Sequence, residues 1–315
     1  MERIGHLARA VVIAGGQVVV GVVTRDGVAP LRGPGSISEL LQMDLGDIEI
    51  EMSHLDPAIP FQALLPLPPI DGVMEVWAAG VTYLASKEAR VEESDDREVY
   101  RRVYDAKRPE LFFKSPPWRV VTDGEPIGVR GDSENNVPEP EVGLVLTGRS
   151  ELFGFTIVDD VSSRSIEGAN PLYLPQAKVF DGCCALGPSI APRWLVPEPS
   201  AMEIRMTIRR SSDVVFFGES STSRMKRSFD ELSRHLFLDL DFPEGAILAT
   251  GTSVVPPLAM TLVPGDSVEI EITGLGMLTT PVQEATLVGD WLSQRRIDPR
   301  IRFSPIRGDE AVVGE

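Results

Sequence analysis

Apolar positions along this chain follow mostly a two-residue rhythm. Residues 142–146 (VGLVL), 153–158 (FGFTIV), 203–208 (EIRMTI) and 268–272 (VEIEI) alternate or run apolar over strand lengths. Each predicts a β-strand with one or both faces buried. The apolar run at residues 10–23 (AVVIAGGQVVVGVV) is broken by Gly15 and Gly16, which predicts a hairpin. It follows Arg3 and Arg9 and could imitate an export signal. It is too short to span a bilayer, however, and no small-residue cleavage site follows it.

Helical periodicity is scarcer. A short helix is expected within residues 36–43, and residues 94–104 (SDDREVYRRVY) open with a Ser and two acids before Val99 and Val103 recur four apart. Met225, Phe229, Leu232 and Leu236 form the plainest helical stripe. Many strands with few helices between them predict an α+β, mostly β fold and argue against a doubly wound parallel sheet. Residues 64–72 (LLPLPPIDG) carry prolines at 66, 68 and 69. That density predicts a stiff connector, with a small N-terminal domain at 1–68 and a larger one at 69–315. The last ten residues are polar and are expected to be loose.

Composition narrows the function. The chain has 315 residues, 43% of them hydrophobic, enough for a sizeable core. Its 30 basic and 47 acidic residues give a net charge of −17, with no basic run, so nucleic acid is excluded as a partner. The two cysteines, Cys183 and Cys184, are adjacent and poorly placed to pair, which suits a reducing cytoplasm. Three scattered histidines (His6, His54, His235) exclude a histidine-rich zinc site. No G-x-G-x-x-G, Walker A or G-x-S-x-G motif is present, so NAD, ATP and serine-hydrolase readings drop out.

The chemistry gathers at Pro138-Glu139-Pro140-Glu141. On an extended backbone Glu139 and Glu141 share a face, where two carboxylates repel unless a proton or cation lies between them. Two solvated acids at a strand entrance is the plain alternative. The following strand changes the balance. The chain turns at residues 147–150 (TGRS) and returns through 152–158 to Asp159 and Asp160. An antiparallel hairpin about that turn brings Asp160 level with Glu139 and Glu141. Three hard oxygen donors suit Mg²⁺ or Mn²⁺, with Ca²⁺ also accommodated, rather than zinc.

Seven ordered segments then resemble the fumarylacetoacetate hydrolase family: GVTY (80–83), RPELFFKSP (108–116), PEPEVGLVL (138–146), GFTIVDDVSSR (154–164), AKVFDGCCALGP (177–188), TGTSVV (250–255) and PGDSVEIEITGLGMLTTPV (264–282). The resemblance implies a mixed β-roll catalytic domain, a small-molecule 2-keto acid substrate, and a homodimer or homotetramer with no membrane partner. It implies that Glu139, Glu141 and Asp160 are metal ligands, in agreement with the hairpin argument. It also implies that Lys178 closes over the substrate and that Thr252 holds the substrate carboxylate. Arg164, Lys114, Tyr83 and Gln176 are further substrate contacts on the same footing. Ser165 follows Arg164 where the family usually has Asp. Hydrolases of the family carry G-x-N-Y-x-x-H, whose His helps activate water; here that position is Ser86. The sugar-acid dehydratases of the family are the nearer likeness, with Glu110 and Lys178 as acid–base candidates. Dehydration of a 2-keto-3-deoxy acid is therefore expected. Hydrolysis of an acylpyruvate such as fumarylpyruvate, or silent binding of a keto acid or metal, are the alternatives.

Overall fold

The computed structural model describes residues 3–86, 88 and 97–295. Ten strands form the path of a large mixed sheet. In spatial order it runs Ile59–Pro60, Gly27–Pro30, Val18–Val23, Leu7–Val12, Ser189–Pro192, Leu152–Asp160, Pro140–Leu146, Ala246–Ala249, Glu75–Gly80 and Glu110–Ser115. All neighbours are antiparallel except Ala246–Ala249 beside Glu75–Gly80. A second sheet of five strands orders Asp213–Ser221, Glu203–Arg210, Asp266–Ile272, Gly276–Glu284 and Ile127–Val129. The four strands read from sequence all form, and the mostly β, α+β architecture stands.

The N-terminal hairpin forms as its pattern predicts, with Gly15 and Gly16 at positive φ where the chain reverses. Its near-continuous valines are explained by burial on both faces. Leu7, Val20 and Val22 enter the main core, while Ala8, Ala10, Val19, Val23, Val28 and Leu64 make a small cluster behind it. The proline-rich connector differs from expectation. Leu64–Leu67 is a strand, paired antiparallel with Leu7–Val12 at the sheet margin. Pro66 sits opposite Ala10, and an edge position tolerates a residue that cannot donate.

Helices are short. Ile37–Leu40 is capped by the Ser36 hydroxyl, which accepts the Glu39 N–H, and Phe229–Leu236 is capped in the same way by Ser228. Met225 lies before that helix and bridges Tyr83 instead of extending the stripe. Leu45–Glu51 is a helix that the periodicity did not single out. Arg97–Asp105 is helical; the expected opening at Ser94 and the last ten residues lie outside the described residues.

Candidate functional site

The hairpin of Pro140–Leu146 and Leu152–Asp160 is buried along nearly its whole length, and its open end carries the acids. Pro140 faces Asp159 in register, and the Asp160 N–H donates to the Glu139 carbonyl at 3.0 Å. Glu139, Glu141 and Asp160 consequently bring ligand oxygens within 4.8 Å of one another, all buried. Alternation sends Asp159 to the opposite face. There its Oδ1 accepts the Glu139 N–H at 3.0 Å and holds the two strand ends together.

Three cations offset this charge. The Lys178 ammonium donates to Glu139 Oε2 at 2.6 Å, Asp160 Oδ2 at 3.1 Å and Ser162 Oγ at 2.6 Å. The Lys114 ammonium lies 2.5 Å from Asp160 Oδ1, a Coulombic contact rather than an aligned hydrogen bond. It also donates to the carbonyls of Val161 (2.9 Å) and Lys178 (2.6 Å). Arg164 approaches Glu139 Oε1 at 3.9 Å and donates to the Pro256 carbonyl at 2.8 Å. Glu141 is the carboxylate served by a backbone group, with the Gly251 N–H donating to its Oε2 at 2.6 Å. Gly251 has φ 89°, and a Cβ there would meet Thr82 Oγ1, so glycine is required to present that N–H.

The electrostatics follow from burial. Glu141 is held well above the usual carboxylate range by burial, then by the charges of Asp160 and Glu139; Lys178 and the Gly251 N–H pull the other way. Burial also raises Asp159 to about 7 against the Glu139 N–H, which opposes the shift. Burial pushes the Tyr83 phenol upward, and Glu141 adds to it. For Lys114 burial acts downward as the largest single influence, but Asp160 together with Cys183 and Cys184 outweighs it, so the net direction is up. Three buried donors, all oxygen, fit a hard divalent cation, and Glu139, Glu141 and Asp160 are the residues that could hold one.

A cavity beside the triad is lined by Gly80, Val81, Ser86, Glu110, Phe112, Glu167, Lys178, Gly251 and Thr252, together with Ala79 and the three acids. Glu110 pairs with Gly80 across antiparallel strands, and its carboxylate covers the Gly80 Cα; a Cβ there would lie 2.2 Å from Glu110 Oε2. Val81 adopts φ 53°, a left-handed conformation costly for a β-branched residue, at the cavity wall. Ser86 both accepts the Tyr83 N–H (3.3 Å) and donates to the Tyr83 carbonyl (2.9 Å), so its hydroxyl serves the local turn.

Of the residues singled out from sequence, Glu139, Glu141, Asp160, Lys178, Glu110 and Thr252 converge on this cavity. Arg164 stands behind Glu139, and Lys114 lies fully buried behind Asp160. Tyr83 is buried outside the cavity lining, and the Gln176 side chain is exposed while its carbonyl accepts from Arg130. Ser165 bonds Ser133 Oγ at 2.9 Å, which also accepts from Ser163, so the departure at 165 feeds a local hydroxyl cluster. Glu167 and Ser162 are the side chains that sequence reasoning missed. Glu167 follows Arg164 by three residues on the helix Arg164–Ala169, a spacing that places both on one face and could have pointed to it. For Ser162 no signal separates it from Ser163.

Residues 75–283 match the family model described as fumarylacetoacetate (FAA) hydrolase C-terminal, and the chain belongs to that family. Within it, the chain is 51% identical over 214 residues to the probable 2-keto-3-deoxyxylonate dehydratase of Haloferax volcanii, covering 68% of this chain and 73% of that protein. It is 44% identical over 214 residues to the 2-dehydro-3-deoxy-D-arabinonate dehydratase of Saccharolobus solfataricus, covering 67% and 72%. Among solved structures, a 2-keto-3-deoxy-D-arabinonate dehydratase complexed with magnesium and 2,5-dioxopentanoate superposes with a TM-score of 0.77. Its sequence is 35% identical, and the match covers 89% of this chain and 99% of that one.

Proposed function

We propose that this chain is a metal-dependent hydro-lyase that converts a 2-keto-3-deoxy sugar acid of the 2-keto-3-deoxy-D-arabinonate type to 2,5-dioxopentanoate and water. The observation that carries this reading is the pair Glu110 and Lys178 in the cavity beside the acidic triad, with Ser86 where a hydrolase has its water-activating His. The two dehydratase relatives and the magnesium-bound neighbour support it.

Glu139, Glu141 and Asp160 would hold Mg²⁺ or Mn²⁺, which supplies Lewis-acid polarisation of the 2-oxo group and so acidifies carbon 3. The chain's own residues do the proton work. One of Lys178 and Glu110 removes a proton from carbon 3, and the other protonates the hydroxyl leaving carbon 4 as water. The carbon 3–carbon 4 double bond that results shifts by tautomerisation to the 5-aldehyde, so one water is lost and no carbon–carbon bond breaks. Contacts to Glu139, Asp160 and Ser162 keep the Lys178 ammonium at the triad. Thr252 would hold the substrate carboxylate, and the Lys178 nitrogen lies over the Phe112 ring, 5.4 Å from its centroid. On the same reading the enzyme is cytoplasmic, in keeping with its two free buried thiols, and is a homodimer or homotetramer. On the same reading residues 1–68 are a small N-terminal unit that extends the large sheet of the catalytic part at 69–315. Among the described residues, no helix is long and apolar enough to cross a membrane.

The test is incubation with Mg²⁺ and a panel of 2-keto-3-deoxy acids and acylpyruvates, with products identified by mass. Loss of one water from a five-carbon acid is expected. Cleavage of fumarylpyruvate into two acids, with no water lost from the sugar acid, would replace this reading with C–C hydrolysis.

A further inference from the structure

Each acid of the triad offers two oxygens, and the protein engages one of them most closely, in a different way each time. Glu139 gives Oε2 to Lys178, on the cavity side. Glu141 gives Oε2 to the Gly251 N–H. Asp160 gives Oδ1 to Lys114, whose side chain has no exposure and does not line the cavity. The Lys114 ammonium is fixed from two further directions, by the carbonyl of Val161 at the strand end and that of Lys178 at the helix end. The Phe180 ring, 5.8 Å away, closes another side. An ammonium pinned by three oxygens, two at the strand end and one at the helix end, cannot swing off Asp160 without leaving a buried charge unpaired.

We propose that Lys114 is a positioning residue that sets the metal preference of the site. By holding Asp160 Oδ1, it leaves that carboxylate only Oδ2 for a cation, an oxygen that also accepts from the cavity-side Lys178 at 3.1 Å. Glu141 is limited in the same way by a rigid backbone donor. Carboxylates that can each give only one oxygen suit a six-coordinate ion such as Mg²⁺ or Mn²⁺, with remaining positions for water and substrate. Ca²⁺ takes six to eight oxygens and commonly gathers them through bidentate carboxylates, which this arrangement denies it. Lys114 therefore acts against Ca²⁺ without touching either metal or substrate. A lysine serving only to neutralise charge would affect all divalent cations alike.

This rests on the metal reading above, and calorimetric titration of the purified protein with MgCl₂, MnCl₂ and CaCl₂ separates the two. The wild-type chain is expected to bind Mg²⁺ and Mn²⁺ more tightly than Ca²⁺. In Lys114→Met the preference for Mg²⁺ over Ca²⁺ should fall by about tenfold or more, in the range found when outer-shell partners of metal ligands are removed. Absolute affinities respond to two opposed effects, lost orientation and added negative charge, so the ratio is the quantity read. Lys114→Gln, which keeps a neutral donor, should fall between wild type and Met. Circular dichroism establishes that each variant is folded. Wild-type protein that binds none of the three cations overturns the metal reading itself. Parallel loss of all three affinities in the variants overturns the role of Lys114 while leaving the metal reading intact. So does wild-type protein that binds Ca²⁺ as tightly as Mg²⁺, whether or not the variants fold.

Discussion

Two hairpins in the large sheet have the same antiparallel build and opposite chemistry. Leu7–Val12 with Val18–Val23 is packed with valine and alanine on both faces, and its turn is made by two glycines. Pro140–Leu146 with Leu152–Asp160 is more completely buried, yet its open end holds Glu139, Glu141, Asp159 and Asp160. Burial alone does not distinguish a structural hairpin from a functional one. What distinguishes them is the set of donors around the second: Lys114, Lys178, Arg164 and the Gly251 N–H arrive from four other segments. The N-terminal hairpin is packed mainly by apolar neighbours, with Arg9 paired to Asp71, whereas the acidic one gathers several charged and backbone partners at a single point.

The largest expected effect lies within the acidic hairpin. Glu141→Gln should abolish turnover and metal binding in calorimetry. The same change should leave metal-free stability unchanged or higher, because this charge is opposed by burial and by Asp160 and Glu139. A metal-free melting temperature well below wild type would show that Glu141 is paired more strongly than its neighbours indicate. Lys178→Ala should lower kcat by about 10²–10⁴ if it is the general base. Steady-state kinetics at saturating Mg²⁺ measures this.

The next contrast is between the two hairpins as sources of stability. Asp160→Ala strands the fully buried Lys114 ammonium and should cost about 3–5 kcal/mol in denaturant unfolding without metal. Leu7→Ala in the apolar hairpin should cost about 2–5 kcal/mol through the cavity it leaves, with the rate per folded molecule unchanged. Loss of activity in the folded Leu7 variant would contradict the separation drawn here.

A pH dependence belongs to the acidic hairpin alone. The Asp159 pKa is raised from 3.8 to about 7 in the folded chain, so the folded state keeps a proton that the unfolded state has released. Its contribution to metal-free stability is full below 3.8 and is lost as pH rises toward about 7. Asp159→Asn should flatten that dependence in unfolding titrations.

The triad was legible in sequence because period-two alternation and a four-residue turn fix which side chains meet. The same local logic located the N-terminal hairpin and the helix Phe229–Leu236. It failed at residues 64–67, where proline content suggested a connector and edge pairing made a strand. It also could not locate Lys114, because which oxygen an ammonium reaches depends on carbonyls 47 and 64 residues away. Gly251 escaped for a related reason, since its contribution to the site is a backbone N–H that no side-chain pattern reveals.

The parallel seam between Ala246–Ala249 and Glu75–Gly80 has a consequence for the order in which the molecule is made. Beside it the Val73 N–H reaches Glu244 across a sequence separation of 171 residues. Contacts of that span form slowly, because loop closure must precede any gain from pairing. On the ribosome the acidic hairpin emerges well before Gly251 and Thr252, which follow directly after the later strand. Its carboxylates thus spend part of synthesis without the backbone donor that serves Glu141, and the complete site is acquired only when the seam closes.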